Sequence, residues 1–361
     1  MGSALSDISN AGVAVWLDDL SRERLQSGSL KKLIETDSVV GVTTNPSIFA
    51  SAIGKSDLYQ ADIVKNAQLT TEEIITLLTT DDVRDACDLF GGVYKNTHHQ
   101  DGRVSIEVDP RFARDTNATI EQGLYLWKII DRPNLLIKVP ATVEGLPAIT
   151  ELITRGVSVN VTLIFSVARY KQVIQAYADG LKRRVDKQQE ISEIFSVASF
   201  FISRIDSAVD ALLPTDSNMR GHTAIANAVM AYQAFLDFSD TSSWKELVNK
   251  GANLQRPLWA STGVKDPSFD PNLYVLDLVA ANTVNTMPEA TLNSVKNSGV
   301  FNHELIPSKL ALSKSILAKI ALAGIDLGKI TEHLEVDGVS KFEAAWLELM
   351  KTVNATAGES K

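Results

Sequence analysis

The chain carries a single cysteine, Cys87, among 361 residues. An internal disulfide is excluded, and the lone thiol suits a reducing, cytoplasmic compartment. Long apolar runs are also missing. No uninterrupted stretch approaches the roughly 18–20 residues that cross a bilayer, so no transmembrane helix is expected. Positive charge is in deficit: 35 Lys and Arg against 44 Asp and Glu give a net charge of −9, with the signs interspersed. Such a surface speaks against nucleic-acid or membrane partners. Neither GxGxxG nor GxxxxGKS/T occurs, and the five histidines show no HExxH spacing, so neither a metal nor an organic cofactor is expected. Residues 1–12 are small and polar without a basic flank. They read as a flexible N-terminus and not as a secretory signal.

What is present is alternation. Eight short β-like runs cover residues 14–18, 40–44, 104–108, 135–139, 157–163, 194–199, 257–261 and 282–285, the last being the weakest. Between them lie helical patterns at 110–130, 143–155, 166–185, 205–213, 223–238 and 272–281. Strand and helix in alternation predict a parallel sheet covered by helices, and eight such units without a linker predict one closed (β/α)8 barrel domain spanning 1–361. Residues 50–102 are too long for one barrel helix and predict two or three. Residues 287–357 are helical in pattern almost throughout, so 288–361 is expected to pack on the barrel as C-terminal helices. Cys87 and the five dispersed tryptophans read as core residues.

One run is anomalous. Leu135-Leu136-Ile137-Lys138-Val139-Pro140 reads as a buried strand with a lysine inside it. A lysine at a strand end can snorkel to water or pair with a carboxylate. A buried one tends to shed its proton, and a neutral amine attacks carbonyl compounds to give a Schiff base. In a barrel of this kind the chemistry sits at the C-terminal ends of the strands. Those ends supply Asp18, Thr44-Asn45, Glu107, Lys138, Asn160 with Thr162, Ser199 and Ser261. Schiff-base chemistry needs an amine, a proton shuttle for the departing and returning water, and an acid or base at the bond that breaks. Lys138, Glu107 and Asp18 suit those roles in that order. Thr162 is placed to orient a water, and Asn45 and Asn160 to hold substrate hydroxyls. Arg204 and Lys265, after the sixth and seventh strands, form with Ser199 and Ser261-Thr262-Gly263 a candidate phosphate site.

With these segments in hand, the chain resembles the transaldolase family over nearly its whole length. The resemblance rests on Val15-Trp16-Leu17-Asp18, Gly41-Val42-Thr43-Thr44-Asn45-Pro46-Ser47, Val104-Ser105-Ile106-Glu107-Val108-Asp109 and Leu136-Ile137-Lys138-Val139-Pro140-Ala141-Thr142. It continues through Val159-Asn160-Val161-Thr162-Leu163, Ser199-Phe200-Phe201-Ile202-Ser203-Arg204 and Trp259-Ala260-Ser261-Thr262. Length and helical extensions look like the longer bacterial subtype. The resemblance implies a cofactor-free barrel of the pentose phosphate pathway that acts on small sugar phosphates as a monomer or homodimer. It would move a dihydroxyacetone unit from sedoheptulose 7-phosphate to glyceraldehyde 3-phosphate, giving erythrose 4-phosphate and fructose 6-phosphate. It further implies Lys138 as the Schiff-base lysine, Asp18 at the C4 hydroxyl, and Glu107 with Thr162 on the water. Asn45, Asn160 and Ser199 would hold the dihydroxyacetone part, and Arg204 and Ser261 the phosphate. Shorter members carry an arginine two positions after the serine. Here that position is Gly263, and Lys265 is the nearest base.

Two other readings stand beside it. Fructose-6-phosphate aldolases share the lysine but release free dihydroxyacetone. They are shorter and carry tyrosine where this chain has Phe201. A catalytically silent barrel serving as a scaffold would not need Lys138, Glu107 and Asp18 together.

Overall fold

The computed structural model describes residues 3–358. Eight strands, β1 (Val13–Leu17), β2 (Val39–Val42), β3 (Arg103–Glu107), β4 (Leu135–Pro140), β5 (Val159–Ile164), β6 (Ser196–Phe201), β7 (Gln255–Ala260) and β8 (Thr283–Met287), form a closed barrel in sequence order. Every neighbouring pair is parallel, and β8 closes on β1 through Val13↔Thr283 to Leu17↔Met287. Both faces of such a sheet are covered, so its strands read as continuous apolar runs. Apart from the half-buried Val40, every strand residue is buried. The fully buried Trp16 lies hard against β2: a Cβ on Gly41 would fall 2.5 Å from its Cε2, so only glycine lets the strand pass.

Register assembles the reactive layer. Glu107 pairs with Lys138, Lys138 with Asn160, and Pro140 with Thr162. Residues level with one another across a parallel sheet face the same side. Glu107, Lys138 and Asn160 therefore stand side by side near the C-terminal ends of three consecutive strands. β5 carries an irregularity between Val161 and Ile164, with Leu163 at φ +58. A bulge of this kind bends a strand end and re-aims its side chains. Ser261, the first residue after β7, also adopts a positive φ, +56.

Several expectations need correction. The N-terminal segment is not a flexible tail. Ala4–Asn10 is a helix capped by the Ser3 side chain, and Leu5 and Ile8 are fully buried. Leu5 and Ile8 sit three apart and share one helical face, an apolar pairing that the small, polar neighbours obscure. Met1 and Gly2 of that segment lie outside the described residues. The helix expected over 110–130 starts only at Thr116, because Asp115 caps it through Ala118 N (3.0 Å) and Pro110–Phe112 forms a separate 3-10 turn. The pattern at 272–281 yields only the short helix Leu273–Leu276. Residues 50–102 do hold three helices of their own, Gln60–Lys65, Thr71–Leu89 and Gly91–Asn96, after the end of Pro46–Lys55. Cys87 is buried in Thr71–Leu89, as expected.

After β8 come the helices Glu289–Ser298, Leu310–Leu322 and Leu327–Gly358, the first two separated by non-helical residues 299–305. The last has 32 residues and is called the C-terminal helix below. It packs against Pro46–Lys55, Thr71–Leu89, Ser203–Asp210 and the end of β5. It therefore lies across the C-terminal mouth of the barrel.

Candidate active site

Lys138 is the centre of the mouth. Its Nζ donates to the Thr44 carbonyl at 3.0 Å and lies 3.4 Å from Glu107 Oε2, with both side chains at most 5% exposed. The ion contact is too poorly aligned for a hydrogen bond, and neither Glu107 oxygen has a hydrogen-bond partner among the described residues. Burial pushes the Glu107 carboxyl up to about 7; Lys138 opposes the rise and Asp18 adds to it. Glu107 is thus poised to give and to take a proton near neutrality.

Asp18 follows β1 directly and holds its place through Asp18 N to Met287 O, 2.8 Å. As a residue it is half-buried, yet its carboxylate lies deep enough that desolvation is the leading influence, raising its pKa. Lys138, the Thr43 hydrogen bond and Lys265 pull the other way. Thr43 Oγ1 donates to Asp18 Oδ1 at 2.6 Å and sits 2.6 Å from Thr286 Oγ1.

Asn45 caps the helix Pro46–Lys55, its Oδ1 accepting from Ile48 N at 3.0 Å, with Pro46 at the first helical position. On β5, Asn160 Nδ2 donates to Ser105 Oγ (3.0 Å) and Oδ1 accepts from Ser199 Oγ (2.7 Å). These bonds fix the amide orientation and leave Ser199 lone pairs free. Among the described residues Thr162 Oγ1 is buried without a partner, just before the bulged Leu163.

Arg204 stacks over the Phe201 ring, 5.3 Å to its centroid. It makes no salt bridge among the described residues, and its Nη1 is buried without an acceptor. Burial lowers the guanidinium pKa, and Asp337 partly offsets this. Ser261 Oγ lies 2.9 Å from Ser203 Oγ. A cavity of about 120 Å³ gathers Asp18, Asn45, Lys138, Ser199, Phe201, Arg204, Ser261 and the exposed Lys265. Glu107, Asn160 and Thr162 stand beside it through register and hydrogen bonds, so every residue singled out from the sequence reaches one mouth.

Four participants escaped the sequence. Thr43 lies inside a quoted motif, but nothing local said that its hydroxyl would bind Asp18. Thr286 sits on the weakest strand pattern. Phe342, on the C-terminal helix, holds its ring centroid 5.9 Å from Lys138 Nζ and lines the same cavity. Trp346, one turn on, is half-buried and lines a second cavity of about 20 Å³ with Asn45, Gln122 and Glu107. Phe342 and Trp346 gave only the signal of an amphipathic helix, which says that a face is covered and not what it covers.

The chain is similar to known proteins of one family. A family model described as Transaldolase/Fructose-6-phosphate aldolase matches residues 15–353. A protein named Transaldolase from Mycolicibacterium smegmatis is 50% identical over 362 aligned residues, covering 98% of this chain and 97% of that protein. One of the same name from Frankia alni is 47% identical, covering 100% and 99%. Another from Mycobacterium leprae is 49% identical, covering 96% and 95%. The chain therefore belongs to the transaldolase and fructose-6-phosphate aldolase family.

Proposed function

We propose that the chain transfers a dihydroxyacetone unit from sedoheptulose 7-phosphate to glyceraldehyde 3-phosphate through a Schiff base on Lys138. The observation that carries this is the placement of Lys138 Nζ, buried 3.4 Å from the Glu107 carboxylate in a mouth that also holds Asp18. The amine adds to the ketose C2 carbonyl, and protonated Glu107 supplies the proton with which the C2 oxygen leaves as water. Asp18 takes the C4 hydroxyl proton while the C3–C4 bond breaks. The bonding pair moves into the iminium, giving an enamine and free erythrose 4-phosphate. The enamine carbon then attacks the acceptor aldehyde, whose oxygen recovers the proton from Asp18. Ionised Glu107, with Thr162, activates the water that returns to C2 and releases fructose 6-phosphate.

Asn45, Asn160 and Ser199 would orient the dihydroxyacetone hydroxyls. The unpartnered Nη1 of Arg204 is a donor waiting for an anion, and with Ser261 and Lys265 it suits the phosphate. The match to relatives named Transaldolase over nearly their whole length favours transfer over release of free dihydroxyacetone. No helix among the described residues is long and apolar enough to cross a membrane. A reducing, cytoplasmic setting suits the buried thiol of Cys87.

Borohydride reduction with fructose 6-phosphate, followed by peptide mass spectrometry, is the test. A stable increment on the Lys138 peptide is expected. Its absence, or an increment on another lysine, would overturn the reading.

A further inference from the structure

The C-terminal helix presents three residues to the barrel mouth at intervals of four: Gly338, Phe342 and Trp346. Residues so spaced lie on one helical face, and the eight-residue span covers about 12 Å at 1.5 Å per residue. Each meets a different part of the site. A Cβ on Gly338 would sit 3.0 Å from Leu163 Cδ2 and 3.6 Å from Arg204 Nη1. Phe342, 4% exposed, stands over Lys138. Trp346 lines the small cavity beside Glu107. The helix is also held from outside the mouth, where Glu335 accepts from Arg169 at 3.2 Å. Leu349 and Val353, one and two turns on, are fully buried.

The position of the ring matters because of what the reaction must avoid. Once the first aldehyde has left, the enamine on Lys138 has two fates. It can attack an acceptor aldehyde. Alternatively its carbon takes a proton, water adds at C2, and the C–N bond breaks to release dihydroxyacetone and the free amine. The second course needs water at C2 before the acceptor arrives. Polar groups line the flanks of the cavity: Asp18, Ser199, Arg204 and Ser261. Phe342 is an apolar group placed on Lys138 from the C-terminal helix. A phenyl ring there gives a water no hydrogen-bond partner on that side.

We infer that Phe342 is a specificity-determining residue, a dry roof over the imine that keeps the enamine for the acceptor and suppresses its loss to water. The inference rests on the Schiff-base reading above. It also gives the C-terminal helix a role: Gly338 lets the helix settle onto Leu163 and Arg204, and that close approach sets the height of the Phe342 ring.

The test reads a ratio and not a rate. At fixed donor and acceptor, the amount of free dihydroxyacetone is divided by the amount of transfer product. The ratio does not depend on how much of a variant is folded. Phe342→Ala should raise it by roughly tenfold or more, the change that about 1.4 kcal/mol in relative barriers produces. Phe342→Tyr keeps the ring and adds a hydroxyl, and it should raise the ratio in the same direction. Phe342→Leu, apolar and large, should hold the ratio within about twofold of the parent, well under the ~1.4 kcal/mol tenfold step. If Phe342→Ala does not fold, Phe342→Tyr decides. An unchanged ratio in the folded polar or truncated variant overturns the proposal, and so does an equal rise in Phe342→Leu. Borohydride trapping on Lys138 is measured in each protein. Lack of trapping in the parent chain would overturn the Schiff-base reading itself. Trapping with an unmoved ratio overturns only the role of Phe342.

Discussion

Replacing Glu107 with glutamine keeps the shape of the side chain and removes its ability to titrate. In the parent protein the carboxyl sits 3.4 Å from Lys138 Nζ, within one water of the carbon that becomes the imine. With a pKa of about 7, set by burial, it spends comparable time as acid and as base at neutral pH. Proton transfer by a positioned group of this kind contributes typically 10²–10⁴-fold, or about 3–5 kcal/mol of barrier. A loss of that size is expected in kcat for Glu107→Gln, with KM for the ketose phosphate changed much less. The pH profile provides a second, independent readout. Below about 7 the parent carboxyl is protonated and cannot activate water, so imine hydrolysis should slow as pH falls through that value. Glutamine has nothing to titrate, and the acid limb should vanish. Single-turnover hydrolysis of the imine, followed from pH 5 to 9 by quenching into borohydride, measures both. A kcat reduced less than about threefold, or an acid limb that survives in Glu107→Gln, would refute the assignment of Glu107 as the proton shuttle.

Three further outcomes are expected. Lys138→Ala should lose turnover and trapping together while the circular dichroism of the barrel persists, and Lys138→Arg should do no better because a guanidinium does not deprotonate to attack a carbonyl; trapping at position 138's peptide in neither variant, but elsewhere in the chain, would contradict it. Arg204→Ala should cut kcat/KM roughly ten- to hundredfold for phosphorylated donors, a charged hydrogen bond being worth about 1.5–3 kcal/mol, and far less for unphosphorylated fructose. Lys265→Ala should cost less, since Lys265 is exposed and acts as a point charge; equal losses with both donor types would show that these bases support something other than phosphate. Phe201→Tyr should shift product from transfer toward free dihydroxyacetone by bringing a hydroxyl beside the imine, and an unmoved product ratio in a coupled assay would remove Phe201 as a determinant.

The strands were legible from their short β-branched and apolar runs between turn signals, nearly continuous at 135–139 apart from Lys138 and alternating at 157–163. Their boundaries moved by at most two residues, and β8 was faint because Thr283-Val284-Asn285-Thr286-Met287 mixes polar and apolar residues. Lys138, Glu107 and Asp18 were legible for the opposite reason: a charge inside or at the end of an apolar run is conspicuous. The N-terminal helix was missed because Leu5 and Ile8 are its only large apolar residues, and their burial depends on the rest of the chain. Phe342 was illegible for a related reason. Periodicity identifies the covered face of a helix, but only the fold reveals that Phe342 lies against the Lys138 amine.

The pair of threonines beside Asp18 has a consequence in the counting of hydrogens. Thr43 owns one hydroxyl hydrogen and gives it to Asp18 Oδ1, so Thr286 must be the donor in the second 2.6 Å contact. The row therefore has a polarity, Thr286 to Thr43 to Asp18. Placing a hydrogen on Oδ1 would force the Thr43 hydroxyl to turn away from it and find a new acceptor. Oδ2 carries no such obligation. The row holds Oδ1 as an acceptor and leaves Oδ2 as the oxygen with no such tie to the Thr286–Thr43 row.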